Sequence, residues 1–242
     1  MRSCDVHTQA LLQTNLTRIQ QRIAQCATAA GRNPQSVQLV AVTKTVSAAV
    51  CSELLALGQR DLGENRADVL ESKHTLLAHL HPRWHWIGHL QRNKARRVLM
   101  CAEVLHSIDS LRLLEACERI CADEGLQRTA FVQLKLWPEE TKGGLDPSEL
   151  QELLVAAREA TRVRVVGLMA MGPLLEDAEA ARRAADEVFA RCAALGAAQE
   201  ALFSGGCQLS MGMSGDYDLA IARGAHWVRV GSALYEGLKE SE

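Results

Sequence analysis

Val37-Gln38-Leu39-Val40-Ala41-Val42-Thr43-Lys44 is a short apolar run that stops at a lysine. Only Gln38 and Thr43 are polar before the amine is reached. A run of this length and composition suits a strand covered on both faces, as in a parallel sheet. A lysine at the end of such a strand would stand beside an apolar wall. Poor hydration there would favour the neutral amine, the form that condenses with an aldehyde. The same stretch also reads as a lysine that leaves the core for water, because lysine is rarely buried unless paired.

Working outward, the run is the first of a series. Upstream, residues 5–30 place Leu12, Leu16, Ile19 and Ile23 at helical spacing, and Gly31 and Pro34 end the segment. Downstream, Ser47 caps a helix that stops at Gly58. Strand candidates then recur at 61–65, 83–87, 104–107, 130–136, 163–168, 207–210 and 227–230, each followed by a helical pattern. The helix over 66–79 starts at Arg66, Ser110 caps another, Asp146-Pro147 opens one, 176–195 is rich in alanine, and Gly231-Ser232 opens the last. No pair of runs is joined by a two-residue hairpin signal, so the strands should be parallel with helical crossovers. Eight such units predict an α/β fold: a single (β/α)8 TIM barrel with an extra N-terminal helix. The expected organisation is one domain over 1–242, with 1–33 as a leading helix packed on the barrel.

Composition narrows the function classes. Charged residues at 23 % and hydrophobic residues at 48 % are ordinary for a globular chain, and a net charge of -2 gives no reason to expect a polyanion partner. The eight cysteines form no C-x-x-C pair, and Cys117 and Cys121 lack the other half of a zinc site, so they read as reduced packing residues with no metal. The N-terminal MRSCDVHTQALLQTN has no apolar core of a secretory signal, and no run is long enough to span a membrane. A cytoplasmic location is expected.

Sites in such barrels lie where the strands end. Lys44, Asn65, His89, Asn93, Met171, 210–215 and 229–232 would share that rim. Leu209-Ser210-Met211-Gly212-Met213-Ser214-Gly215-Asp216 and Arg229-Val230-Gly231-Ser232-Ala233-Leu234 are both glycine- and serine-containing strand exits. Helix N-termini at these exits would offer unpaired N–H groups to an anion. Ordinary capping explains either loop alone. Both together, opposite a strand-end lysine, point to a ligand with an aldehyde and a phosphate, and pyridoxal 5′-phosphate (PLP) is such a ligand. Arg229, next to the second loop, would leave a facing pyridine nitrogen unprotonated, or would pair a rim carboxylate.

The segments Ala41-Val42-Thr43-Lys44-Thr45, Gly63-Glu64-Asn65-Arg66, 84–94 (WHWIGHLQRNK), His106-Ser107-Ile108-Asp109-Ser110, Gly167-Leu168-Met169-Ala170-Met171, Gly212-Met213-Ser214 and Arg229-Val230-Gly231-Ser232-Ala233 occur in that order. Together they resemble the pyridoxal phosphate homeostasis protein family, small PLP-binding barrels similar to the N-terminal domain of alanine racemase. The resemblance runs from about Val37 to Gly237. It implies PLP as a Schiff base on Lys44, phosphate contacts at Ser210, Ser214, Gly231 and Ser232, Arg229 near the ring nitrogen, and Asn65 and Met171 around the cofactor. It implies a carrier in vitamin B6 balance, with no catalytic residues assigned. Gly215 departs from the family, which often has an acidic residue or asparagine there, and this could loosen the phosphate loop. Arg66-Ala67-Asp68 and Leu234-Tyr235-Glu236 also depart from the commoner pattern.

A racemase of this architecture needs a second acid/base, a tyrosine lent by another subunit. The tyrosines here, Tyr217 and Tyr235, fall at helix starts on the expected phosphate side. The alternative reading is a PLP-dependent barrel-type enzyme, a racemase or lyase of amino acids. A third is an adaptor using the basic run 91–97, although such runs are usually a solvated helix face. His85 and His89 form only a weak metal pattern. The expected partners are PLP and apo-PLP enzymes as recipients, with no nucleic acid and no membrane, and the expected state is a monomer.

Overall fold

In the computed structural model, which describes residues 5–138, 143–203 and 205–238, eight parallel strands close into a barrel in chain order. They are β1 (Gln38–Val42), β2 (Asp61–Glu64), β3 (Arg83–Trp86), β4 (Val104–Ile108), β5 (Arg128–Gln133), β6 (Val163–Met169), β7 (Gln208–Ser210) and β8 (Trp227–Val230). Closure is made by β8 against β1, from Gln38 opposite Trp227 to Ala41 opposite Val230. Register shifts interrupt the ladders of β4 with β5 and β5 with β6. The connection over 137–146 lies partly outside the described residues.

Alternation along the strands separates two cores. Leu39, Ala41, Leu62, Trp84, Trp86, Leu105, Ala130, Val132, Leu168, Leu209, Val228 and Val230 face outward into one large cluster with the helices. Inside the barrel, Val104, Phe131, Val166 and Met169 form a separate small cluster, with Met171 and Trp227 against it. Much of the remaining interior is polar: Asp61, His85, His106, Gln133, Ser210 and Arg229 are all buried.

The helices alternate with the strands. They are α1 (Val6–Ala29), α2 (Ala48–Ala56), α3 (Ala67–Leu77), α4 (Ala95–Leu99), α5 (Leu111–Asp123), α6 (Leu150–Ala157), α7 (Ala178–Ala198) and α8 (Tyr217–Ala222). Asp5, Ser47, Ser110 and Asp177 each accept a first-turn N–H at the N-terminus of their helix. One expectation fails. After β8, where a last helix was predicted from Gly231-Ser232, the chain makes only a single 3₁₀ turn over Ser232–Leu234. The reason lies at the other end of the sequence. The leading helix α1 packs on α8, on this turn and on α2, so it fills the place of the missing crossover helix. Asn15 on α1 donates to the carbonyls of Leu234 at 3.1 Å and Glu236 at 3.0 Å. Arg32 donates to Ala225 at 2.7 Å. The helix is therefore part of the ring and not an addition to it.

Candidate functional site

Because all strands are parallel, their C-terminal ends make one rim. Lys44 lies two residues past β1, in a turn, and is exposed. This corrects the expectation of an amine pressed against an apolar wall: the strand stops at Val42, and the side chain has already left the core. What is buried is the support behind it. Thr43 is sealed, and its hydroxyl donates to Glu64 Oε1 at 2.7 Å. Lys73 on α3 donates to the Thr43 carbonyl at 2.7 Å and to Glu64 Oε1 at 2.6 Å. A buried ion pair thus holds the peptide that leads into Lys44. Sequence reading missed both partners, since Lys73 looks like any polar residue of an amphipathic helix.

The β7 and β8 exits touch: the Gly231 N–H donates to Ser214 Oγ at 3.2 Å. Gly231 also lies against β1, where an added Cβ would stand 3.3 Å from the Val42 Cβ. The lysine and the glycine–serine loop therefore leave neighbouring strands, and the expected placement across the barrel mouth is corrected to side by side. The β7 exit is tightened by Asp216, whose carboxylate accepts the Met213 N–H at 2.5 Å. Burial raises the Asp216 pKa, against that hydrogen bond and the attraction of Arg229. Gly212 has φ +89°, and a Cβ there would strike Tyr217 and Ala220 at 2.7 Å, so the turn requires glycine. Gly215, flagged as a loosening departure, is held: its carbonyl accepts from Arg182 at 2.5 Å. Among the described residues, the backbone N–H groups of Ser214, Gly215, Ser232 and Ala233 donate to no protein acceptor. Four N–H donors on two touching loops, with serine hydroxyls beside them, fit a phosphate. The cradle is built from loop and 3₁₀ backbone, where helix termini had been expected.

Asn65 is exposed just beyond β2. Gly88 of the β3 exit packs against its backbone, leaving no room for a side chain. Met171 is half-buried above the interior apolar cluster. Ser232 is exposed and Ser214 and Gly231 are half-buried on the rim. Ser210 departs from its expected role as a phosphate contact. It is fully buried inside the barrel, and its hydroxyl lies 2.6 Å from Arg229 Nη1 and 2.7 Å from His106 Nδ1. The three residues of β7 were too few to reveal which way Ser210 faces.

Arg229 is buried beneath the rim, and its Nη2 donates to the Ala170 carbonyl at 3.2 Å. Burial pulls its pKa down to about 10, which still leaves it a cation at neutral pH. Below it lie two buried imidazoles in contact, His85 and His106, 2.9 Å apart through Nδ1 and Nε2. Burial lowers the pKa of both, His106 well below the ordinary value. His85 Nε2 is 2.7 Å from Asp61 Oδ1. Burial pushes the Asp61 carboxyl up, but hydrogen bonds and charge from His85 and Arg83 outweigh it and keep the pKa low.

These groups set a pH dependence. The unfolded chain takes up protons at His85 and His106 near pH ~6.5, while the folded protein resists them. The stability they confer is complete above that pH and is lost as pH falls toward their lowered folded values. The expected slope is as much as about 1.4 kcal/mol per pH unit for each histidine. Chemical denaturation from pH 8 to pH 5 (roughly the range set by histidine titration) checks it, and a flat profile refutes it.

His85 and His89 do not come together as a metal pair. His85 is inside the barrel, and His89 is exposed on the rim, 3.2 Å from Asp109. No group of three metal-ligating side chains occurs among the described residues. In the basic run, Arg97 pairs with Glu71 at 2.8 Å and Arg96 lies against Asp123 and Glu124. Among the described residues, no helix is long and apolar enough to cross a membrane.

Comparison with known proteins places this geometry. Residues 14–239 match the family described as alanine racemase, N-terminal domain. The pyridoxal phosphate homeostasis protein of Pseudomonas aeruginosa is 36 % identical over 224 residues, 91 % of this chain and 93 % of the relative. That of Aquifex aeolicus is 32 % identical over 221 residues, 91 % and 95 % of the two chains. The solved structure of PipY from Synechococcus elongatus with PLP bound is 37 % identical, covers 88 % of this chain and 99 % of PipY, and superposes with a TM-score of 0.75.

Proposed function

This chain belongs to the pyridoxal phosphate homeostasis protein family, and from that premise we propose that it binds pyridoxal 5′-phosphate as a carrier in vitamin B6 balance. The carrying observation is that the end of β1, two residues before Lys44, lies against Gly231 across the β1–β8 seam. In PLP the aldehyde and the phosphate-bearing arm sit on neighbouring ring carbons. A lysine and an anion cradle on neighbouring strands match that arrangement. When bound, the cofactor supplies an electrophilic aldehyde.

Each residue then has a task. Lys44 offers the amine, and its exposure gives an incoming aldehyde access. Ser214 and Ser232 hold the phosphate with their hydroxyls and the free N–H groups around them, and Gly231, whose own N–H goes to Ser214 Oγ, ties the two loops together. Arg229, fixed below on β8, faces the ring nitrogen and keeps it unprotonated, because a guanidinium does not give up its proton readily. Asn65 and Met171 flank the ring. Ser210 serves by holding Arg229.

An unprotonated ring is a weak electron sink, and neither tyrosine is placed as a second acid/base. Tyr217 starts α8. The Tyr235 hydroxyl is buried, and desolvation, with Cys51 and Glu64 nearby, drives its pKa well above the ordinary phenol value. We therefore read the chain as a carrier without turnover, a monomer that works in the cytoplasm and passes PLP to apo-enzymes.

The test is a visible spectrum of the protein with PLP, before and after an apo-PLP enzyme is added. A band near ~420 nm, as for an amine-linked pyridoxal, should appear and then decline as the enzyme gains activity. No band sinks the binding reading. A band that persists while the enzyme stays inactive sinks the carrier role. Sustained racemisation or deamination of an amino acid would overturn the absence of turnover.

A further inference from the structure

Five side chains run in line through the barrel interior. Arg229 Nη1 lies 2.6 Å from Ser210 Oγ, which lies 2.7 Å from His106 Nδ1. His106 Nε2 is 2.9 Å from His85 Nδ1, and His85 Nε2 is 2.7 Å from Asp61 Oδ1. Every link has hydrogen-bond geometry. The two ends are chemically fixed: a guanidinium only donates, and an ionised carboxylate only accepts.

Those ends determine everything between them. Ser210 accepts from Arg229, so its one proton goes to His106 Nδ1. A neutral His106 then carries its proton on Nε2 and gives it to His85 Nδ1. His85 carries its proton on Nε2 and gives it to Asp61. Starting from Asp61 leads to the same assignment, so all four bonds point one way. The rings are locked in place as well: His106 stacks on Phe131 at 4.9 Å with 14° between planes, and His85 leans on Trp227 at 5.2 Å. Arg83, paired with Asp61 and lying over Trp227, closes the lower end.

We propose that Asp61, His85, His106 and Ser210 are positioning residues for Arg229, forming a one-way hydrogen-bond chain that ties its guanidinium to a carboxylate at the far end of the barrel. Asp61, paired with Arg83, fixes the accepting end, and two neutral imidazoles of fixed tautomer carry that direction to Ser210, while the carboxylate that attracts the buried cation directly is Asp216. Bonds aligned in one direction polarise one another, so a change at His85 is felt at Arg229, three hydrogen bonds away. What Arg229 faces rests on the PLP reading; the chain itself does not.

The first test therefore needs no cofactor. Ligand-free protein with ¹⁵N-labelled histidines is examined by NMR near neutral pH. Both His85 and His106 should show a proton on Nε2 and a bare Nδ1. A proton on Nδ1 of either ring, or a charged ring, overturns the chain. The second test loads ¹⁵N-labelled PLP into the wild type and into His85→Phe, a change that touches nothing on the rim. The ring-nitrogen signal should move between the two. The same signal in both, with PLP retained, overturns the positioning role. Should His85→Phe not fold, Ser210→Ala takes its place and is read in the same way. A wild type that takes up no PLP would sink the cofactor reading and leave the tautomer result to stand or fall alone.

Discussion

Lys44→Ala should abolish the visible band of the PLP-loaded protein and leave nothing for borohydride to fix to the chain. The phosphate cradle does not involve the Lys44 side chain, so a non-covalent remainder of binding should survive. We expect retention to weaken by roughly 100-fold, or about 2.8 kcal/mol. Lys44 is exposed and sits in a turn, so its loss should leave the melting temperature nearly unchanged. Equilibrium dialysis, borohydride labelling with peptide mapping, and a thermal melt check the three parts. A band that survives, or a label that moves to another lysine, refutes the assignment.

The second large effect concerns stability. Lys73→Met should strip Glu64 of its cation inside the outer core. The Glu64 side chain is fully buried, and its second oxygen makes no hydrogen bond among the described residues. Removing one partner of a buried pair costs about 3–5 kcal/mol, because the other charge is left without compensation. For a chain of this size that corresponds to a fall of about 10 °C in melting temperature. The double change Glu64→Leu with Lys73→Met should recover most of the loss, since it removes both charges. PLP uptake should not recover with it, because the Thr43 carbonyl no longer has its Lys73 donor. A double variant as unstable as the single one would show that the pair is not the cause. Full PLP retention by that variant would show that Lys73 does not position the lysine turn.

Most of the architecture was legible from the chain. Alternating apolar runs and capped helices obey local rules, and Ser47, Ser110 and Asp146 marked helix starts without reference to anything distant. Strand count and direction followed. Orientation was harder, because it depends on register between strands. Ser210 could face the phosphate or the interior, and only its bonds to Arg229 and His106 decide. The interior polar line was invisible for the same reason: His85 and His106 are far apart in sequence and become neighbours only when β3 pairs with β4. Glu64 and Lys73 are nine residues apart, with no helical relation, and meet because α3 folds back on β2. The missing last helix was a non-local effect too, since its place is taken by residues from the opposite end.

That substitution bears on the order in which the molecule can assemble. α1 leaves the ribosome before the strands, yet most of its seat is made by α8 and the turn over Ser232–Leu234, and its bond to Leu234 spans 219 positions. An amphipathic segment of this kind must wait, apolar side uncovered, until α8 and the turn after β8 have been synthesised. The cylinder then shuts at one seam, between β8 and β1, and the same late event brings Gly231 beside Val42 and so completes the seat we propose for the cofactor. A nascent chain that halts short of β8 would therefore have neither a sealed wall nor anywhere to put vitamin B6.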